Sequence, residues 1–311
     1  MDLFKPNSNF DFMGIRKPVI AVSVVLLLVA MAGLVTRGLN FALDFTGGTV
    51  VEVAFEKPAD VGAIQKLVAD SGFENATVQT FGTERDIVIR LQPRDDQNAE
   101  EAGLAVFEAL KRGDNAPTLK FTGFVGPQVG QELAENGLIA VIVVILGILL
   151  YIGARFEKKF AIAAIGATIH DVILTVGYFA LTQKEFDLNV LAGIMSVVGY
   201  SINDKIVVFD RVRENFRNMR HVSAVEVLNK SINQTLSRTT INSFVAFLTV
   251  LALYLYGGPG LRLMSEALMI GIVIGTLSSI FTACPLLLWL GVTKQDLMPR
   301  AKDTTELERR P

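Results

Sequence analysis

Residues 188–208 read LNVLAGIMSVVGYSINDKIVV, an apolar run that carries Asp204 and Lys205 close to its end. Crossing a bilayer takes roughly 20 mostly apolar residues, and this run is long enough. Charge inside such a segment costs ~2.5–3.5 kcal/mol on insertion scales, so it faces a protein interior and marks a pathway. Reading outward, further stretches of the same kind lie at 18–36, 137–153, 160–181 and 262–291, with a shorter one at 239–256 that opens on polar residues. The totals decide little: 51% hydrophobic and 19% charged among 311 residues is near the globular averages. What decides is that the apolar residues are gathered into blocks separated by ordinary polar sequence. The first block is expected to be a retained anchor, because its apolar core exceeds that of a signal peptide and no small-residue cleavage site follows.

Lysine and arginine set the expected orientation. Lys5, Arg16 and Lys17 precede the first span; Arg155, Lys158 and Lys159 separate the second and third. Arg211, Arg213, Arg217, Arg220 and Lys230 separate the fourth and fifth, and Lys294, Arg300, Lys302, Arg309 and Arg310 follow the last. Six spans put all four groups on one face, expected to be cytoplasmic, with both termini there. The opposite loops hold only Lys184 in 183–187 and no cation in 257–261. The expected division is an N-terminal segment 1–17, a first helix 18–36, an outer domain 37–136, a five-helix region 137–292 and a tail 293–311.

The outer segment alternates strand and helix signals. Residues 50–55 are valine-rich and alternating; 60–71 places Val61, Ile64, Leu67 and Val68 on one helical face. A hairpin is expected over 76–81 and 86–91, a helix over 98–111 with Leu104, Phe107 and Leu110 inward, and a last strand over 117–125. The order β-α-β-β-α-β is that of a ferredoxin-like α+β domain, a fold that implies no function by itself. The expected class is therefore a polytopic α-helical membrane protein with one such domain between its first two spans.

Composition excludes several functions. A net charge of −2 offers no nucleic-acid footprint. A lone cysteine, Cys284, rules out an intrachain disulfide, and two histidines, His170 and His221, cannot build a histidine-rich metal site. No nucleophile–histidine pairing or phosphate loop is present, so neither an enzyme nor a cofactor is expected.

The polar residues inside the spans carry the functional signal. Ala192, Ser196, Gly199 and Asn203 recur at spacings of three and four upstream of Asp204, a small and hydrogen-bonding face. Lys205 points about 100° from Asp204 and is expected to snorkel to the inner surface. On the fifth span Thr235, Arg238, Asn242, Ala246 and Thr249 form a second polar stripe. Arg238 is the expected partner of Asp204, since its fork holds a carboxylate by two bonds. Asp204, Arg238, Asn203, Thr235, Ser237 and Thr239 thus form a candidate proton pathway: protonating Asp204 releases Arg238, and one charge crossing 100 mV is worth about 2.3 kcal/mol. The plainer readings are a structural ion pair for Asp204 and a positive-inside anchor for Arg238. His170-Asp171 on the third span is either a second relay or a buried structural pair. Gly199, Gly271 and Gly275 read as helix-packing positions, and Pro285 as a kink.

Three motifs resemble the SecD/SecF family. DFTGG at 44–48 (Asp44, Phe45, Thr46, Gly47, Gly48) is similar to its D-F-x-G-G signature. VGYSIND at 198–204 with VVFDRVREN at 207–215 resembles its fourth-span motif, and SINQTLSRT at 231–239 its run into the fifth span. The resemblance covers nearly the whole chain. It implies an inner-membrane protein that pairs with SecD in a bundle like that of resistance-nodulation-division transporters. It also implies work with the SecYEG channel and the SecA motor, with YajC and YidC as further candidate partners. The implied activity is proton-motive-force-driven pulling or release of translocating preprotein on the periplasmic side, with Asp204 and Arg238 at the positions that move protons. Lys205 departs from the small or hydroxyl residue expected there and brings a second cation beside Asp204. In the DFTGG segment, Gly47 and Gly48 suit a tight link, and Asp44 either couples the outer domain or caps the turn. Two alternatives stay open: a scaffold that stabilises a translocon without moving protons, and half of a proton-driven efflux transporter.

Overall fold

The computed structural model describes residues 10–74, 76–81, 83–92, 99–113, 115–219 and 222–297. Lys5, Arg220, His221 and the tail cations Arg300, Lys302, Arg309 and Arg310 lie outside them. Helix α1 (Arg16–Thr36) leads through a two-residue strand β1 (Asn40–Phe41) and a single turn α2 (Leu43–Thr46) into the outer domain. There β2 (Gly48–Phe55), α3 (Val61–Asp70), β3 (Thr77–Phe81), β4 (Thr83–Leu91), α4 (Ala99–Leu110) and β5 (Pro117–Val125) follow. All neighbouring strands run antiparallel in the order β3-β4-β2-β5, the split arrangement expected of the pattern. Alternation along β2 turns Val51, Val53 and Phe55 toward the helices, where Ile64, Val68, Val106 and Leu110 complete the core. One expectation fails here. Leu104 is exposed, and Ala102, Val106 and Leu110 form the inward face of α4, because spacing alone left the register of that short helix open by one position.

The remaining helices are α5 (Pro127–Arg155), α6 (Lys158–Thr182), α7 (Leu188–Asn218), α8 (Ala224–Tyr256) and α9 (Pro259–Ser278), with a short strand β6 (Glu185–Phe186) before α7. After α9 the chain passes through a π turn, Ser279–Ala283, into α10 (Cys284–Trp289). That turn sits where Pro285 withholds an N–H and crowds the preceding carbonyls, and the buried Cys284 thiol donates to the Ser279 carbonyl at 3.6 Å. Six helices are long and apolar enough to span a membrane. In the apolar windows of α6, α7 and the α9–α10 helix 50% of residues are buried, against 11% in α1, α5 and α8, so the first three form the centre.

Two helices overrun the expected spans. At 1.5 Å per residue, the 31 residues of α7 and 33 of α8 give lengths of about 46 and 50 Å, well beyond a hydrocarbon core of ~30 Å. The extra turns of both lie at the same end, joined by 219–223. A capping box, in which Ser223 Oγ accepts from Glu226 N–H and Glu226 accepts from Ser223 N–H, starts α8 at Ala224. This is why the polar opening of the fifth span is helix: it forms the turns beyond the apolar part.

Candidate functional site

Gly271 and Gly275 bring α9 onto α7. A Cβ on Gly271 would lie 2.2 Å from a Val197 methyl, and one on Gly275 would lie 3.1 Å from Ser201 Cβ. Gly199 does not take part: nothing lies within 4 Å of its Cβ position. Gly193, six residues earlier, meets Met264 instead at 3.1 Å. The small-residue face Ala192, Ser196, Gly199 and Asn203 is exposed along its whole length. The side of α7 that packs against α9 is the one carrying Gly193, Val197 and Ser201.

Asp204 is buried on α7 with 1% exposure. Its Oδ2 faces Ser243 Oγ of α8 at 3.4 Å. Ser243 is also reached by the Tyr200 hydroxyl at 2.9 Å and the Thr276 hydroxyl at 2.7 Å, and it donates to the Thr239 carbonyl at 2.8 Å. Hydroxyls of α7, α8 and α9 thus meet beside one carboxylate. A carboxylate accepts hydrogen bonds only, whereas a carboxylic acid also donates one. A proton on Oδ2 would turn that atom from an acceptor into a donor toward Ser243, which already accepts from the Tyr200 and Thr276 hydroxyls.

The expected Asp204–Arg238 pair is not formed. The buried stripe of α8 is Ser231, Thr235, Thr239 and Ser243, spaced by four, with the hydroxyls of the last three returned to carbonyls one turn back. Arg238 lies one residue off that stripe, about 100° around the helix. It is exposed with Gln234 and Asn242 and lines a small surface hollow with Asp210, Arg211 and Glu214. Asn203 is exposed on α7. Ser237, two residues from both Thr235 and Thr239, sits on the opposite side of α8 and is half-buried.

Lys205 corrects another expectation. Rather than snorkelling, it is fully buried and forms an ion pair with Asp171 of α6, Nζ to Oδ2 2.7 Å, both side chains at 0% exposure. Its position one turn after Ser201 lets the ammonium fold back onto the Ser201 hydroxyl and carbonyl, and Ser201 donates to the same Asp171 oxygen at 2.5 Å. On the other side His170 Nδ1 lies 3.0 Å from Asp171 Oδ1, and His170 Nε2 lies 2.6 Å from Ser23 Oγ of α1. A continuous polar chain therefore joins α1, α6 and α7. Sequence reasoning placed Asp171 and Lys205 separately, and their partnership appears only when α6 packs on α7.

The DFTGG segment lies between α5, the start of α7 and the outer domain. Gly47 and Gly48 both have positive φ, 66° and 125°, which favours glycine. A Cβ on Gly48 would also lie 2.3 Å from the Leu91 carbonyl. Asp44 Oδ2 accepts from the first N–H of α7, at Leu188 (3.1 Å), while Asp187 caps the same end through Val190 N–H at 2.6 Å. Two carboxylates thus oppose the positive end of α7. Phe45 packs on Phe41 and Phe186, and Thr46 returns its hydroxyl to the Ala42 carbonyl at 3.2 Å. Arg90, missed in the sequence, reaches from β4 to an ion pair with Glu185 beside this cap.

Fold and site together define a polytopic helical membrane protein whose bundle core holds two buried carboxylates and whose single α+β domain is braced on the end of a core helix. Residues 106–293 match the family described as protein export membrane protein SecD/SecF, C-terminal, and residues 32–59 match the SecD/SecF GG motif. The chain belongs to the SecD/SecF family. It is 46% identical over 96% of its length to protein translocase subunit SecF of Pseudomonas aeruginosa, covering 97% of that protein. To SecF of Escherichia coli O157:H7 it is 41% identical over 93% of its length, covering 90% of that protein. Among solved structures it resembles SecDF from Thermus thermophilus, titled a translocon-associated membrane protein, with TM-score 0.84 at 35% identity over 93% of this chain. A SecDF structure in a super-membrane-facing form matches at 36% identity over 91% of the chain, with TM-score 0.67. The chain spans 40% and 39% of the length of these two SecDF chains.

Proposed function

We propose that this chain is a SecF-type subunit of the Sec protein-export machinery, acting with SecD to drive late translocation or release of preproteins at the expense of the proton-motive force. In this reading it lies in the bacterial inner membrane with both termini cytoplasmic. SecD is its direct partner, SecYEG and SecA supply the channel and the motor, and YajC and YidC are accessory. The relatives that match nearly end to end are translocase subunits, and the solved counterparts carry this region as part of a longer SecDF chain.

The observation that carries the mechanism is a buried carboxylate bordered by an uncovered polar face. Asp204 has Ser243 for a hydrogen-bond partner and no ion pair among the described residues. Next to it Asn203 and Asn242 are exposed on the apolar parts of α7 and α8, and Arg238 is exposed where the apolar part of α8 begins. Polar groups are costly in lipid, so a second membrane protein covers this face, with the Arg238 guanidinium at its edge. Proton uptake by Asp204 reorders Ser243, Tyr200 and Thr276, which belong to three different helices, and so changes how α7, α8 and α9 sit together. His170, Asp171 and Lys205 tie α6 to α7 beside this group.

The test is force-dependent export into membrane vesicles carrying SecD, with Asp204→Asn compared to wild type at equal assembled protein. Loss of the force-dependent stimulation with assembly intact is the expected result. Unchanged stimulation would overturn the proton reading in favour of a scaffold.

A further inference from the structure

We propose that Arg90 is the positioning residue through which the outer domain holds the end of α7, and thereby the helix that carries Asp204. The outer domain touches the bundle at this corner through polar groups of both. Arg90 is at the penultimate position of β4, next to Leu91, whose carbonyl closes on Gly48. Its guanidinium pairs with Glu185 of β6, which lies parallel to β1 in the linker from α1. Only two residues separate Glu185 from the start of α7. Burial lowers the Arg90 pKa to about 10, while the two carboxylates that cap that start, Asp187 and Asp44, act in the opposite direction and favour its charged form. One cation from the outer domain therefore faces three anions at the end of one helix.

Two observations make this a connection that can be made and released. Arg90 Nε is buried without a hydrogen-bond partner among the described residues, so the fork uses only part of its donors in this arrangement and has unused capacity toward Asp44 and Asp187. Beside the pair lies a cleft of about 820 Å³, walled by Val78, Thr80 and Val88 of the outer domain and by Tyr254, Arg262 and Glu266 of the bundle. The domain therefore has space on the side of β3, and Arg90 stands on the wall of that space. Because an α-helix is stiff along its axis, displacing the cap of α7 displaces Ser201, Asp204 and Lys205 with it.

This inference deepens the export reading and rests on it for one readout only. In the full chain assembled with SecD in lipid, hydrogen exchange is followed at the Leu188 and Val190 amides and in β2. Arg90→Gln is expected to speed exchange at the α7 amides by about tenfold, the scale of one charge-assisted bond, with β2 unchanged. Glu185→Gln should do the same, and the double variant no more than the larger single one, since both remove one interaction. Should Arg90→Gln loosen β2 as well, Arg90→Lys, which keeps the charge and loses the fork, carries the same comparison. Force-dependent export should fall severalfold in Arg90→Gln at equal assembly. Wild-type exchange at α7 in Arg90→Gln, or additive effects in the double variant, would overturn the tether. If Asp204→Asn leaves stimulation intact while Arg90→Gln still loosens α7, the export reading falls and the tether stands.

Discussion

Asp171 and Lys205 are the pair on which the bundle core depends most. Each is wholly buried, and neither is tolerable alone, because removing one member of a buried ion pair leaves the other uncompensated at a cost of ~3–5 kcal/mol. Lys205→Met is therefore expected to lower the thermal midpoint of the detergent-solubilised protein strongly. The double variant Asp171→Asn/Lys205→Met should recover much of the loss, since paired removal leaves no stranded charge. A double variant as unstable as the single one would mean that the lysine serves by packing alone. The pair also bears on Asp204. With its ammonium held by Asp171 and Ser201, Lys205, the second cation beside Asp204 in the sequence, is paired with α6 instead. The charges themselves were legible in the sequence. Which charge meets which was not, because residues 34 apart in the chain become neighbours only through the α6–α7 crossing.

Among the helices, small residues act only where another backbone arrives. Gly271 is closed against Val197 and Gly199 is open, although both sit in glycine-containing stretches of apolar helix. Gly271→Ala is expected to cost about 1–3 kcal/mol through overpacking at the α7–α9 contact. Gly199→Ala should be neutral or slightly stabilising in the isolated chain, as alanine is the better helix former by about 1 kcal/mol. Denaturation of both variants in the same detergent checks the contrast, and equal losses would mean that the α7–α9 contact is looser than described. The same logic explains the fifth span. Its apolar stretch is short and opens on polar residues, whereas α8 runs from a capping box at Ser223 with its hydroxyls satisfied one turn back. Local composition marked where lipid begins, and capping chemistry decided where the helix begins.

For the molecule as a whole, the informative surface is the one left uncovered. Arg238, Asn242, Asn203 and Gln234 are exposed on α7 and α8, beside hydrophobic neighbours such as Phe244, Val245 and Leu248 that are also exposed. Asn242→Leu is expected to leave the thermal midpoint of the isolated chain unchanged. Its recovery with SecD by co-purification should fall by about three- to thirtyfold, the range spanned by interhelical hydrogen bonds in membranes. Undiminished recovery would place the partner on another face. The outer domain adds the second large-scale feature, since it meets the bundle through the α7 cap, with an open cleft beside Arg90.

The sequence by itself determined the number of spans, the succession of strands and helices in the outer domain and the presence of charge in the fourth span. Each of these is a periodic or compositional consequence of hiding backbone and apolar surface, and such signals are local. The DFTGG turn was legible for the same reason, as adjacent glycines permit positive φ before any neighbour is known. Only the tertiary structure decided that Lys205 belongs to Asp171, that Asp204 faces Ser243, that Arg238 looks outward and that Arg90 reaches the cap of α7. Those outcomes depend on the rotation of each long helix about its axis. A helix turns 100° per residue, so a shift of one position exchanges an inward side chain for an outward one. Packing against several neighbours at once fixes that angle, and no single segment contains it.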